Sequence, residues 1–354
     1  MSRFTLSRIA TISCMMQSTE EKLVSHWSAL ALMEIPYLES FFEARIEENT
    51  KEDHYVVFSP KHRRRRSGQK IHLCVLDLPD SAKQCRDGVH IVSPEYAFLQ
   101  AAGDLSKQEV IVLAELMCGS PQEAGTEPVT TLEKLIAFAV KAKGHRGRRK
   151  VLSALRYVRE RSRSPLEIAA HILLCLPHKL GGAAFTTGVL DYRIDLDKEA
   201  ARKMGTDTLH ADLAFPEHMV AIEYDSKENH STHEEQANDA KRAEAMEAMG
   251  YTVISIGPRD LYNLDGLYEL IKKLEVLLGK SPHPTASHYA EGFERIHDML
   301  PRHDTDFAGD PWGNMKIMKH RSKERRRFFT RMRVKMQDQL FTPSRIPSFL
   351  LSSA

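Results

Sequence analysis

Two kinds of hydrophobic spacing take turns along this chain. Apolar positions recur every three or four residues over 19–46, where TEEKLVSH supplies a cap-like start before WSALALMEI and Pro36 interrupts the run, so a helical segment is predicted there. Period-two pieces follow in HYVVFS (54–59), IHLCVLDL (71–78) and VHIVS (89–93), predicting short strands. From Pro94 the helical period returns through PEYAFLQAAGDLSKQEVIVLAELMCG, with Gly119 as its stop. A loop rich in Gly, Pro and Thr covers 120–130, and TLEKLIAFAVKAKG and RKVLSALRYVRERS predict two more helices linked by the turn HRGRR.

The stretch 164–257 mixes both periods. SPLEIAAHILLCLP predicts an apolar helix, and GVLDYRIDL (188–196), TLHADLAF (208–215) and VAIEYD (220–225) predict strands. EEQANDAKRAEAMEAMG predicts a helix closed by Gly250, YTVISI (251–256) a further strand, and DLYNLDGLYELIKKLEVLLG a closing helix. Strand, helix, strand after residue 220 implies a parallel crossover, hence an α/β sheet. The expected organisation is an N-terminal helical segment (1–50), a basic α+β region (51–160), an α/β unit with a mixed sheet flanked by helices (161–280), and a basic appendage (281–354). A chain of 354 residues suffices for two compact domains or three small ones.

Composition narrows the class. With 42% hydrophobic and 28% charged residues the chain reads as globular, and no run approaches the roughly 18 apolar residues of a membrane span. No membrane partner is expected. The five cysteines (14, 74, 85, 118 and 175) are scattered and never form a CxxC pair, which fits a reducing, cytoplasmic setting and argues against a thiolate zinc site.

The net charge of +2 conceals uneven placement. Residues 59–72 carry six Lys/Arg and no acid, 141–163 carry ten against Glu160 alone, and 316–335 carry ten against Glu324 alone. Such blocks suit a phosphate backbone, so Arg63, Arg64, Arg65, Arg66, Arg146, Arg148, Arg149 and Lys150 are candidate nucleic-acid contacts, with Lys241 beside them. A single block would more simply be a solvated face; three blocks in one chain favour DNA as partner.

The chemistry concentrates in HADLAFPEHMVAIEYDSKENH (210–230). On a strand Glu223 and Asp225 share one face while Ile222 and Tyr224 share the other. If Phe215 and Val220 pair around a PEHM turn, Asp212 stands opposite Glu223, with Cβ atoms roughly 5 Å apart. Facing carboxylates repel, and a divalent cation with a taste for hard oxygen, Mg²⁺ or Mn²⁺, would remove the conflict. A register shifted by one would instead leave Asp212 in solvent. Glu167 has a purely structural explanation in SPLE: Ser164 as N-cap, Pro165 first in the helix, Glu167 completing a capping box. His230 could orient water or move a proton, Lys227 and Lys241 could meet a phosphate, and Asp239 could support the site from the next helix.

An acid on a first helix, Asp on a strand and E-x-D on the next strand resembles the PD-(D/E)XK nuclease superfamily. The finer pattern is similar to its branch related to the very-short-patch-repair endonuclease, through SPLE (164–167), HADLAFP (210–216), AIEYDS (221–226), HST (230–232), NDAKR (238–242) and AMGYTVISI (248–256). About ninety residues are covered. Upstream, VHIVSPEYAFLQAA and RGRRKVLSALRYV resemble, more faintly, AbiE-type antitoxins. The resemblance implies a restriction-endonuclease-like fold and a Mg²⁺-dependent endonuclease or nickase of DNA repair or phage defence. It makes Asp212, Glu223, Asp225 and Glu167 the metal-binding acids and gives His230 and Lys227 supporting roles. Asp225 stands where the superfamily pattern has lysine. The rival expectation is a DNA-binding regulator of the toxin–antitoxin type whose nuclease-like domain does not cleave; a homodimer, or a toxin or defence-system partner, fits either.

Overall fold

The computed structural model describes residues 17–49, 51–64, 66–86, 88–120, 127–224, 233–279 and 286–301. It is mixed α/β, with two mixed sheets. The first contains β1 (Lys22–Val24), β2 (Asp53–Val57), β3 (Gln69–Leu73), β4 (Lys83–Arg86) and β5 (Val89–Val92), in the order β3-β2-β1-β5-β4. β1 lies at the centre, antiparallel to β2 and parallel to β5. The helical reading of 19–46 is therefore corrected at its start. Three residues are too few to declare a period, and the buried backbone of Leu23 and Val24 is satisfied by strands that come from far along the chain. Two helices follow, α1 (His26–Leu32) and α2 (Leu38–Asn49).

The helices α3 (Pro94–Ala101), α4 (Lys107–Met117), α5 (Leu132–Lys141) and α6 (Arg148–Ala154) follow, with α3 packed on α1 and on α5, and α6 on α4 and α5. The single helix expected from Pro94 to Gly119 is broken in two because Ser106 starts a new one. Its Oγ accepts from the Glu109 N–H (3.2 Å), and the Glu109 carboxylate accepts from the Ser106 N–H (2.6 Å), a reciprocal capping box.

The second sheet contains β6 (Val189–Asp195), β7 (Thr208–Phe215), β8 (Val220–Tyr224) and β9 (Thr252–Ile256), in that order. β6–β7 and β7–β8 are antiparallel and β8–β9 is parallel, as the strand–helix–strand pattern predicts. Its helices are α7 (Pro165–Ala170), which widens into a π turn over His171–Cys175, α8 (Lys198–Met204), α9 (His233–Ala248), α10 (Pro258–Tyr262), α11 (Leu264–Leu277) and α12 (Ala286–Met299). One sheet face, with Leu213, Phe215, Val220, Ile222, Ile254 and Ile256, joins the main core. The other carries a smaller cluster in which Ala211, Ala214 and Ala221 meet Ala245 and Met246 of α9.

That main core is continuous from Leu23 to Leu300. The segments 51–160 and 161–280 share it, and a fully buried contact between Glu115 Oε1 on α4 and His171 Nδ1 (2.8 Å) ties them. The appendage, too, is core at its beginning. Phe293, Ile296, Met299 and Leu300 are buried, and Gly181 (φ 96°) lies so close to Gly292 that a Cβ at Gly181 would sit 2.1 Å from the Gly292 carbonyl carbon. Among the described residues no helix is long and apolar enough to cross a membrane, and Cys74, Cys85, Cys118 and Cys175 are free thiols.

Candidate active site

The site grows out of a strand register. Phe215 pairs with Val220, Ala214 with Ala221 and Leu213 with Ile222, around a turn over 216–219 in which Met219 takes a left-handed φ of 51°. This is the register that side-chain alternation predicts, and it sets Asp212 opposite Glu223. The backbone ladder between β7 and β8 ends there, and the two carboxylates take over from carbonyls as acceptors. The Tyr224 N–H donates to Asp212 Oδ2 (2.7 Å) and the Asp212 N–H donates to Glu223 Oε1 (3.4 Å). The acids are neither splayed into solvent nor buried without partners.

A third acid joins from β6. Leu190 pairs with Leu213 and Tyr192 with Ala211, so Asp191 stands level with Asp212. Asp191 takes φ 50°, a left-handed conformation that costs an Asp of order 1 kcal/mol or more. The twist reverses the strand's faces: Leu190 enters the main core, while Tyr192 and Ile194 turn to the opposite cluster. The buried Asp191 carboxylate accepts from Arg163 Nη2 (2.6 Å) and pairs with His210 Nδ1 (2.9 Å). Arg242 on α9 closes the other side. Its Nη2 donates to Glu223 Oε2 (2.8 Å) and to the His210 carbonyl (2.9 Å).

Glu167 keeps the capping role foreseen for it in altered form. Its N–H donates to Ser164 Oγ (3.2 Å), but its carboxylate reaches one residue further back and accepts from the Arg163 N–H (2.8 Å). It is 5% exposed. Burial pushes its carboxyl up to about 7, with the nearby Asp212 adding to the rise and the Arg163 N–H opposing it. Asp212 is also pushed up to about 7, first by burial and then by the charge of Glu223, against the Tyr224 N–H and Arg242. Asp212 is thus the shared member of two acid pairs. The buried Tyr224 hydroxyl has no hydrogen-bond partner among the described residues, and burial, then Asp212 and Glu167, holds its acidity well below that of an ordinary phenol.

A hard divalent cation suits the Asp212–Glu223 pair. The donors are carboxylate oxygens, and the electrostatic conflict that lifts Asp212 is the one such an ion relieves. Glu167 is set apart: Glu167, Asp212 and Glu223 do not bring one oxygen each within 4.8 Å of one another. Asp225, Lys227, His230 and Arg65 lie outside the described residues.

The basic candidates divide. Arg63, Arg64, Arg66, Arg149 and Lys241 are exposed, as is Asp239, and the exposed Arg146 pairs with Asp104 (3.0 Å). Arg148 and Lys150 instead cap helix ends. Arg148 donates to the carbonyls of Ala139 (2.7 Å) and Val140 (3.1 Å), and Lys150 Nζ to those of Ala102, Gly103 and Leu105. Sequence reasoning passed over Asp191, Arg163, His210 and Arg242. The acid in GVLDYRIDL, one strand before HADLAF, was the available signal for Asp191, since a third strand extends any cross-strand row. The chain matches none of the protein-family models, curated proteins or solved structures with which it was compared.

Proposed function

We propose that this protein is a metal-dependent DNA endonuclease or nickase whose site is built on Asp212 and Glu223. The observation that carries this reading is their juxtaposition where the β7–β8 ladder ends, each holding a backbone N–H of the other strand. The order of acids, Glu167 on a helix, Asp212 on a strand and Glu223 on the next, is the layout of the PD-(D/E)XK nucleases and supports it. Held by Asp212 and Glu223, Mg²⁺ or Mn²⁺ would activate water and neutralise charge developing on a phosphodiester. Arg242 fixes the Glu223 carboxylate, and Tyr224 N–H fixes that of Asp212, so neither needs to reorganise. Asp191 holds His210 through Nδ1, which leaves Nε2 of this half-exposed ring free to transfer a proton in this reading. Exposed Arg63, Arg64, Arg66 and Arg149 supply the phosphate contacts.

The test is conversion of supercoiled plasmid to nicked or linear DNA by purified protein with Mg²⁺ or Mn²⁺. Activity should disappear in Asp212→Asn and Glu223→Gln; cleavage that survives both substitutions dismisses the mechanism. One observation favours a second reading, a DNA-binding regulator that does not cleave: Arg242 already pairs with Glu223, so that acid has a counter-charge without an ion. In that case no divalent cation elicits cleavage, and salt-sensitive DNA binding persists unchanged in both variants.

A further inference from the structure

A second cluster of ionisable side chains lies in the five-stranded sheet, apart from the acids. His26 opens α1, His54 sits on β2 and His72 on β3. Each offers a ring nitrogen within 4.8 Å of the other two, and among the described residues this is the group of three or more His, Cys, Asp or Glu drawn so close. His72 Nε2 and His54 Nδ1 are 3.3 Å apart. Zinc binds imidazole nitrogen at about 2.0–2.1 Å, so one edge of a tetrahedral site spans roughly 3.3–3.4 Å. The separation is long for a hydrogen bond and matches that edge.

Hydrogen bonds around the cluster hold the histidines in place. Ser25 Oγ lies 3.0 Å from His26 Nδ1, which leaves Nε2 to serve as the ligand nitrogen. The His26 backbone is held in the left-handed region (φ 52°), its N–H donating to the buried Gln100 Oε1 (3.1 Å). The His54 N–H donates to Ser28 Oγ (2.9 Å), and the His54 carbonyl accepts from the Ser25 N–H (2.9 Å). The rings of His26 and His72 stack with centroids 3.7 Å apart, an arrangement that two imidazolium cations would not tolerate. Burial lowers all three, with neighbouring histidines adding to it for His26 and His54 and Lys70 for His72: His54 to about 3, His72 to about 4 and His26 well below its usual value. Neutral imidazole is the form that ligates.

We infer that His26, His54 and His72 form a three-imidazole site for a zinc-class divalent transition metal, with a fourth position open to water or an anionic oxygen. Imidazole nitrogens select Zn²⁺, Co²⁺ or Ni²⁺ over Mg²⁺, so this site and the acid pair call for different ions. Three neutral ligands leave the ion's double charge intact beside the exposed Arg63 and Lys70, at the base of the basic segment between β2 and β3.

The experiment uses the full chain, free of any histidine tag, stripped with a chelator and titrated with Co²⁺. Expected is one Co²⁺ per chain with visible d–d absorption of four-coordinate intensity, displaced by Zn²⁺ and not by millimolar Mg²⁺. Binding should weaken at least about 100-fold in His54→Asn and in His72→Asn, and stay intact in Asp212→Asn and Glu223→Gln. X-ray absorption of the wild-type zinc form removes dependence on variant folding: three imidazoles and one further light atom at about 2.0–2.1 Å are expected. Wild-type protein that takes up no stoichiometric Co²⁺, or a zinc spectrum without imidazole scattering, overturns the assignment and identifies the cluster as a stacked, hydrogen-bonded trio. Neither result bears on plasmid cleavage.

Discussion

The two sheets bury ionisable groups in opposite ways. At the five-stranded sheet three histidines are buried together and their affinity for protons falls; at the four-stranded sheet Asp212, and Glu167 on the adjoining helix, are buried and theirs rises. One physical cause serves both, since burial penalises whichever form is charged and like charges nearby add to the penalty. Each cluster also contains a non-glycine residue forced into the left-handed region, His26 in one and Asp191 in the other. The clusters differ in what relieves them. Hard oxygens with a guanidinium alongside suit a cation of the Mg²⁺ type, whereas soft-accepting nitrogens with a serine alongside suit zinc. An ion at one cluster would therefore not compete with an ion at the other.

Damaging each cluster in turn separates their roles. Asp212→Asn should lower Mg²⁺-dependent nicking by at least about 100-fold, the scale on which even supporting groups around a metal act. His72→Asn should leave that nicking within a few fold. Equal losses in both, measured by initial rates on supercoiled plasmid, would show that the two clusters form a single functional unit.

The next effect is on stability as pH changes, and its sign differs between clusters. Asp212 and Glu167 are raised to about 7, so between about 4 and 7 the folded state binds more protons than the unfolded, and their contribution falls as pH rises through that window. His54 and His72 are lowered to about 3 and 4, so between there and about 6.5 the unfolded state binds more protons, and their contribution grows with pH. Urea unfolding of the metal-free protein should show Asp212→Asn recovering on the order of 1–3 kcal/mol at pH 8 relative to pH 5. His54→Phe should flatten the opposite, acid limb. Millimolar Mg²⁺ should stabilise the wild type more at pH 8 than at pH 5.

Arg242→Gln tests the acid cluster alone. It leaves Glu223 without its guanidinium, which should cost about 1–3 kcal/mol by urea unfolding. Mg²⁺ should restore part of that loss by replacing the missing positive charge. No restoration at any Mg²⁺ concentration would favour the non-cleaving reading.

The smallest effects separate phosphate contacts from helix caps. Replacing Arg63, Arg64 and Arg66 by Ala should reduce the slope of log affinity for DNA against log salt by about 2–3, one unit for each lost phosphate contact. Lys150→Ala should leave that slope unchanged and cost about 1 kcal/mol of stability, because its ammonium caps the end of α3.

Much of the architecture was legible in one dimension. Alternation in TLHADLAF and VAIEY, with a four-residue turn between, specified β7, β8 and their register, because a shift by one would have turned Leu213 and Phe215 away from the core. SPLE announced its own helix start, and the parallel β8–β9 crossover followed from strand, helix, strand. The three-residue strand at Lys22–Val24 was not legible, since nothing local distinguishes it from the first turn of a helix and its partners lie more than thirty residues away. Nor was the common core, which depends on Glu115 meeting His171 and on Gly181 admitting Gly292.

The same division runs through the sites. Sequence alone determined that Asp212 faces Glu223, because strand periodicity is a local property and the turn between them is short. It could not determine that Asp191 joins them, that Arg242 sits on Glu223, or that histidines at 26, 54 and 72 converge. Those placements depend on a reversed strand face, on a helix packed across the sheet and on three elements meeting in one core. Only tertiary structure decides such contacts, because the free energy that brings distant residues together is that of burying the whole core and is carried by no single segment.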